Sequence, residues 1–106
     1  MADVLCVSSG TAAIKVALKA LGIGRGDEVI TQSFNFIATV EAIVDTGANV
    51  VFTDIYDTLN MCPKNLESLI SKKTKAIIPV HMLGVPADMI LINRIGKRNK
   101  IPIVED

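Results

Sequence analysis

The sequence predicts an α/β fold, a mostly parallel sheet with helices on both faces, and two observations predict it. Apolar residues at helical spacing alternate with short apolar runs, in the order helix, strand, helix, strand, helix, strand, helix, strand. Alternation on this spacing argues for right-handed crossovers, which set consecutive strands parallel. The strand runs are nearly continuous in apolar residues, as expected where both faces of a sheet are buried.

The elements follow in order. Ile14, Ala17, Leu18 and Leu21 form the stripe of a first helix, opened by Ser9 or Gly10 as N-cap and stopped by Gly22, with Lys19 in its last turn. Residues 28–31 read as a strand ending at Gln32 and Ser33. Asn35 is the expected N-cap of a second helix, with Ile37, Val40 and Val44 on one face and Gly47 at its end. Residues 49–54 form the next strand, and residues 55–62 a loop. Pro63 suits the first turn of a third helix, whose buried face is Leu66, Leu69 and Ile70. Residues 75–80 are a strand, with Pro79 expected near its end because proline cannot donate to a ladder. A loop over 81–86 leads to a fourth helix over about 87–97, and residues 101–104 are the last strand. The apolar run 89–92 suggests that this last helix makes a deep contact.

Composition narrows the functional classes. The chain has 106 residues, which allows one domain at most, and half of them are hydrophobic, which excludes disorder. Lysine plus arginine balance aspartate plus glutamate, so nothing favours nucleic acid or an anionic membrane as partner. The basic clusters Lys72, Lys73, Lys75 and Lys97, Arg98, Lys100 fall between a helix and the next strand, where they complement helix C-termini. Pro79, His81, Pro86 and Asp88 interrupt the longest apolar stretch, so no membrane span is predicted, and residues 1–5 lack the pattern of a signal peptide. Cys6 and Cys62 lie far from any C-x-x-C spacing, as expected of reduced thiols in a cytoplasmic protein. A single histidine and no paired cysteines argue against a metal cluster. The strand before the first helix is short at best (residues 4–7) and the chain ends on a strand. Both ends read as cut, so the chain is expected to be a piece of a larger α/β domain with exposed apolar surface.

Ligands of open parallel sheets sit beyond the carboxyl ends of the strands. Residues 33–36, Asp54, His81 and Asp106 fall there, and the helix start at Gly10 and Thr11 offers unpaired N–H groups to an anion. Neither G-x-x-x-x-G-K-[ST] nor a correctly placed G-x-G-x-x-G is present. A flat, phosphorylated cofactor with a ring nitrogen fits better. Pyridoxal phosphate needs an anion seat, a surface to stack on and a carboxylate for its pyridinium nitrogen. On pattern alone, Ser9–Gly10 reads more readily as an ordinary helix cap and Phe36 as a core residue, His81 reads equally as a satisfied loop histidine, and Asp106 also reads as a frayed terminus.

Six motifs in order carry a more specific signal: residues 9–13 (SGTAA), 26–30 (GDEVI), 33–36 (SFNF), 74–81 (TKAIIPVH), 86–89 (PADM) and 102–106 (PIVED). Together they resemble the DegT/DnrJ/EryC1/StrS family of pyridoxal-phosphate-dependent sugar aminotransferases, with the type I aspartate aminotransferase fold. The match is to the front part of that family's large cofactor domain, so residues 1–106 would be a partial domain. The resemblance implies that Gly10 and Thr11 hold the cofactor phosphate, Phe36 stacks on the pyridine ring and Asp106 pairs with the ring nitrogen. It places His81 near the pocket as a candidate catalytic group. It also implies a nucleotide-linked keto-sugar substrate, an amino donor such as glutamate, and a homodimer when the protein is full length. The family's Schiff-base lysine lies beyond Asp106, so this chain alone is not expected to transaminate. A sugar dehydratase of the same family and a non-catalytic α/β binding module stand as the alternatives.

Overall fold

The computed structural model describes residues 3–106. Met1 and Ala2, which open the N-terminal stretch considered above, lie outside the described residues.

The elements run α1 (Gly10–Ala20), β1 (Glu28–Gln32), α2 (Ile37–Val44), β2 (Asn49–Thr53), α3 (Pro63–Leu69), β3 (Thr74–Ile78) and α4 (Met89–Asn99), with one 3-10 turn at Met82–Gly84. The three strands are parallel in the order β2-β1-β3, with Ile30 paired to both Val51 and Ile77. The α/β architecture is therefore the one the alternation predicts.

Two-residue alternation along the strands divides the core into two layers. Val29, Ala76 and Ile78 face Ile14 and Leu18 of α1 and Ala42 and Ile43 of α2. Ile30 and Ile77 face Leu66 of α3 and Ile92 and Ile95 of α4. Helices thus cover both faces. The side changes because β1 connects outward to β2, whereas β2 connects back across β1 to β3. Right-handed crossovers in opposite directions put their helices on opposite faces. The sheet consequently has a switch point between the carboxyl ends of β1 and β3, which is where an open α/β sheet forms a crevice.

Several local expectations need correction. Residues 4–7 form no strand, and Val4 and Leu5 are exposed. The N-cap of α2 is Phe36, which makes no side-chain cap bond. The Asn35 amide instead donates to Thr31 Oγ1 and the Gln32 carbonyl, each at 3.2 Å, a tertiary bond outcompeting the cap. The buried face of α2 is Thr39, Ala42 and Ile43, while Ile37 and Val44 are exposed. Hydrophobicity suggested a stripe, but contact with α1 and the sheet decided which face is buried.

α4 starts two residues later than expected, with Asp88 accepting from Leu91 N–H, and it buries Ile92, Ile95 and Gly96. Ile90 and Leu91 are exposed, so the apolar run 89–92 makes no deep contact throughout its length. Lys97 and Arg98 do sit in its last turn, whereas α3 has no basic residue in its last turn. Gly22 and Gly47 end α1 and α2 with φ of 73° and 87°, the left-handed region that glycine enters without strain.

The last predicted strand is present only as one parallel bridge, Ile103 to Ile77. Its hydrogen bonds explain why. Ile77 N–H donates to Pro102 O and Val104 N–H to Ile77 O, after which Asp106 N–H donates to Pro79 O and His81 N–H to Asp106 O. The bond missing between them is the one that an amide at position 79 would donate. Proline has no such hydrogen, so the ladder is interrupted and then resumes. Asp106 is held on both sides of its own backbone.

Candidate functional site

α1 opens directly at the carboxyl edge of the sheet. Ser9 is extended, and its Oγ accepts from Ala12 N–H at 3.1 Å, while its carbonyl accepts from Ala13 N–H. Among the described residues, the Gly10 and Thr11 N–H groups have no partner. A side chain on Gly10 would meet nothing within 4 Å, so the backbone here can be approached closely. Two free donors at the positive end of an eleven-residue helix form an anion seat.

Gly10, Thr11, Phe36 and Asp106 line one depression of about 300 Å³, together with Thr39 and Val80. The structure thus brings together all four residues that the sequence named for the cofactor. Phe36 is 77% exposed, which removes the reading of it as a core residue. Its exposure follows from its place before the first turn of α2, where no helix among the described residues packs over it. Asp106 is no loose terminus. Besides its two backbone bonds, its Oδ2 accepts from Thr39 Oγ1 at 2.6 Å, a contact spanning 67 positions of sequence.

His81 and Asp54 do not line this depression. The His81 Nδ1 accepts from Ala87 N–H and its Nε2 lies 3.0 Å from Glu105 Oε2. An N–H donor at Nδ1 requires a lone pair there, so the assigned tautomer carries its proton on Nε2 and donates it to Glu105. Both ring nitrogens are thereby used to close the 81–87 loop against residue 105. No lysine lines the depression either. Lys15 of α1 pairs with Asp45 beyond α2, and that hydrogen bond raises the lysine above its ordinary pKa.

Three polar residues that the sequence reading passed over hold the edge in place. Gln32 is fully buried at the end of β1. Its Nε2 donates to Phe34 O and Leu59 O at 3.1 and 2.9 Å, and its Oε1 accepts from Met61 N–H and Val80 N–H at 3.2 and 3.0 Å. All four bonding positions of one amide are filled, by three different loops. Asn60, 2% exposed, accepts from Met82 N–H and donates to Val85 O. Thr39 is the third. Gln32 gave no sequence signal, because at a strand end between Thr31 and Ser33 it reads as the polar start of a loop.

The family model of the DegT/DnrJ/EryC1/StrS aminotransferases matches residues 1–106. Among solved structures, the chain is similar to DesV of S. venezuelae in complex with a ketimine intermediate, at 41% identity and a TM-score of 0.90, covering 92% of this chain and 26% of that one. It is similar to NtdA of Bacillus subtilis with bound cofactor PMP, at 40% identity and a TM-score of 0.90, covering 92% and 23%. It is also similar to an aminotransferase from Psychrobacter cryohalolentis, at 41% identity and a TM-score of 0.89, covering 92% and 25%. The chain spans about a quarter of the length of these structures.

Proposed function

This chain belongs to the DegT/DnrJ/EryC1/StrS aminotransferase family, and from that premise we propose that it forms part of the cofactor domain of a pyridoxal-phosphate-dependent aminotransferase. The observation that carries the reading is the single depression in which an open helix start, an exposed aromatic ring and an anchored carboxylate meet. The similarity to NtdA, solved with PMP, supports the same cofactor.

The residues present fit that group. The Gly10 and Thr11 N–H groups, with the Thr11 hydroxyl beside them, would hold a phosphate. The face of Phe36 would stack on a planar ring, and the Asp106 carboxylate would keep a proton on the ring nitrogen. When bound, the cofactor supplies an electron sink for a carbanion, and it does so best with that nitrogen protonated. The lysine that anchors the cofactor covalently comes, on this proposal, from a part of the protein outside residues 1–106. The substrate class proposed is a keto-sugar linked to a nucleotide, with glutamate as amino donor and a cytoplasmic homodimer as the working form. Family membership supports these assignments.

The test is titration of the whole protein and its Asp106→Ala variant with pyridoxal phosphate and with unphosphorylated pyridoxal. Saturable binding that needs the phosphate and weakens at least about tenfold in Asp106→Ala is the expected result. Equal affinity of both proteins for both compounds would sink the proposal.

A further inference from the structure

We propose that Thr39 is a positioning residue that fixes the orientation of the Asp106 carboxylate, so that the oxygen Thr39 does not hold faces the cofactor's ring nitrogen. The inference rests on the cofactor assignment above and deepens it.

α2 buries three residues, Thr39, Ala42 and Ile43, and Thr39 is the only one with a polar side chain. A threonine hydroxyl in a helix ordinarily returns its proton to a carbonyl one turn back. The Thr39 hydroxyl does not do so. It donates across to Asp106 Oδ2 at 2.6 Å, and with the residue 1% exposed, no water competes for that proton.

Asp106 completes the geometry. Its N–H and C=O are fixed by Pro79 and His81, so only its side-chain torsions are left to set. The Thr39 bond sets them. A hydroxyl donates a single proton, here to Oδ2, which leaves Oδ1 as the oxygen without a partner among the described residues. The carboxylate is therefore presented in one orientation, with one acceptor held by the protein and the other available to an N–H donor in the depression. Without the hydroxyl, the carboxylate would rotate between orientations, and the ring nitrogen would meet the right one only part of the time.

The test compares affinity for pyridoxal phosphate with affinity for its deaza analogue, in which carbon replaces the ring nitrogen. The proteins are the whole wild-type protein and its Thr39→Val, Thr39→Ser and Asp106→Ala variants. Valine keeps the shape and removes the hydroxyl, whereas serine keeps the hydroxyl. The expected result is a roughly tenfold loss of pyridoxal phosphate affinity in Thr39→Val, little change for the analogue, and recovery in Thr39→Ser. Equal losses for both compounds in Thr39→Val would make Thr39 a structural residue only and overturn the inference, as would no loss for either. Asp106→Ala separates the two levels of the argument. If it erases the preference for the nitrogen-containing ring while Thr39→Val leaves that preference undiminished, the Thr39 inference fails alone. If Asp106→Ala keeps that preference, the cofactor assignment of Asp106 fails, and the inference goes with it.

Discussion

The two edges of the sheet differ in a way that the sizes of their concavities would misrepresent. At the amino edge, Ile70, Thr74, Lys75, Lys100 and Pro102 line a concavity of about 710 Å³. At the carboxyl edge, the depression around Asp106 is about 300 Å³. Yet the side-chain bonds of the amino edge are local, such as Ser71 N–H to Thr74 Oγ1, or exposed, such as Ser71 Oγ to Glu28 Oε2. The carboxyl edge is tied by buried side chains that span long stretches of sequence. Gln32 reaches 27 positions to Leu59 and 48 to Val80, and Thr39 reaches 67 to Asp106.

The physical reason lies in the chain direction. In a parallel sheet, helices leave from the carboxyl edge, so helix N-termini gather there and the loops must cross irregularly. Irregular backbone that is partly buried needs partners for each N–H and C=O. Side-chain amides provide them. The amino edge receives helix C-termini, which lysines complement from solvent at little structural cost. The larger opening is a space between turns, and the smaller one is built.

The sharpest challenge to that contrast is Gln32→Leu. It leaves Met61 N–H, Val80 N–H and two carbonyls without their partner, so stability should fall by about 3 kcal/mol or more, measured by urea denaturation. A loss below about 1 kcal/mol, within the range of an ordinary substitution, would mean that the loops are held by something else.

Gly96→Ala probes the packing of α4 instead. Its new Cβ would lie 2.9 Å from Ile103 Cδ1 and 3.0 Å from the Ile101 carbonyl oxygen. The side chain can yield, but the carbonyl lies between Ile101 N–H, bonded to Gly96 O, and Pro102 O, bonded to Ile77 N–H, so a loss of about 1–3 kcal/mol is expected. Pyridoxal phosphate affinity should stay within about twofold, because Asp106 keeps both its backbone bonds and Thr39. A large loss of affinity would show that the two sheet regions are not independent.

The smallest effect is expected at the amino edge itself. Lys100 caps α4 at φ 56°, a left-handed conformation that a lysine enters with strain. Lys100→Gly should raise stability by up to about 1 kcal/mol and leave cofactor affinity unchanged. A weaker affinity in this variant would give the amino edge a role in binding.

The candidate site was legible to different depths. Gly10 and Thr11 could be read because a helix start of small residues is a local pattern. Asp106 and Phe36 became readable through motifs at characteristic spacings, although each alone fitted a bland explanation. Thr39 could not be found this way. Nothing around it in the sequence distinguishes it from any threonine in a helix, and its partner is 67 positions away. Asn60 was hidden for the same reason, inside a stretch that reads only as a loop.

What the sequence determined by itself was the alternation of helices and strands, the parallel sheet with helices on both faces, the proline start of α3 and the glycine stops of α1 and α2. Each depends on periodicity or on the allowed backbone angles of single residues, which neighbours in sequence settle. Tertiary structure alone decided which face of α2 is buried and that Asn35 bonds backward instead of capping. It also decided that His81 turns toward Glu105 and that Asp106 meets Thr39. These outcomes are choices among partners distant in sequence, and only the packed sheet brings those partners within bonding distance.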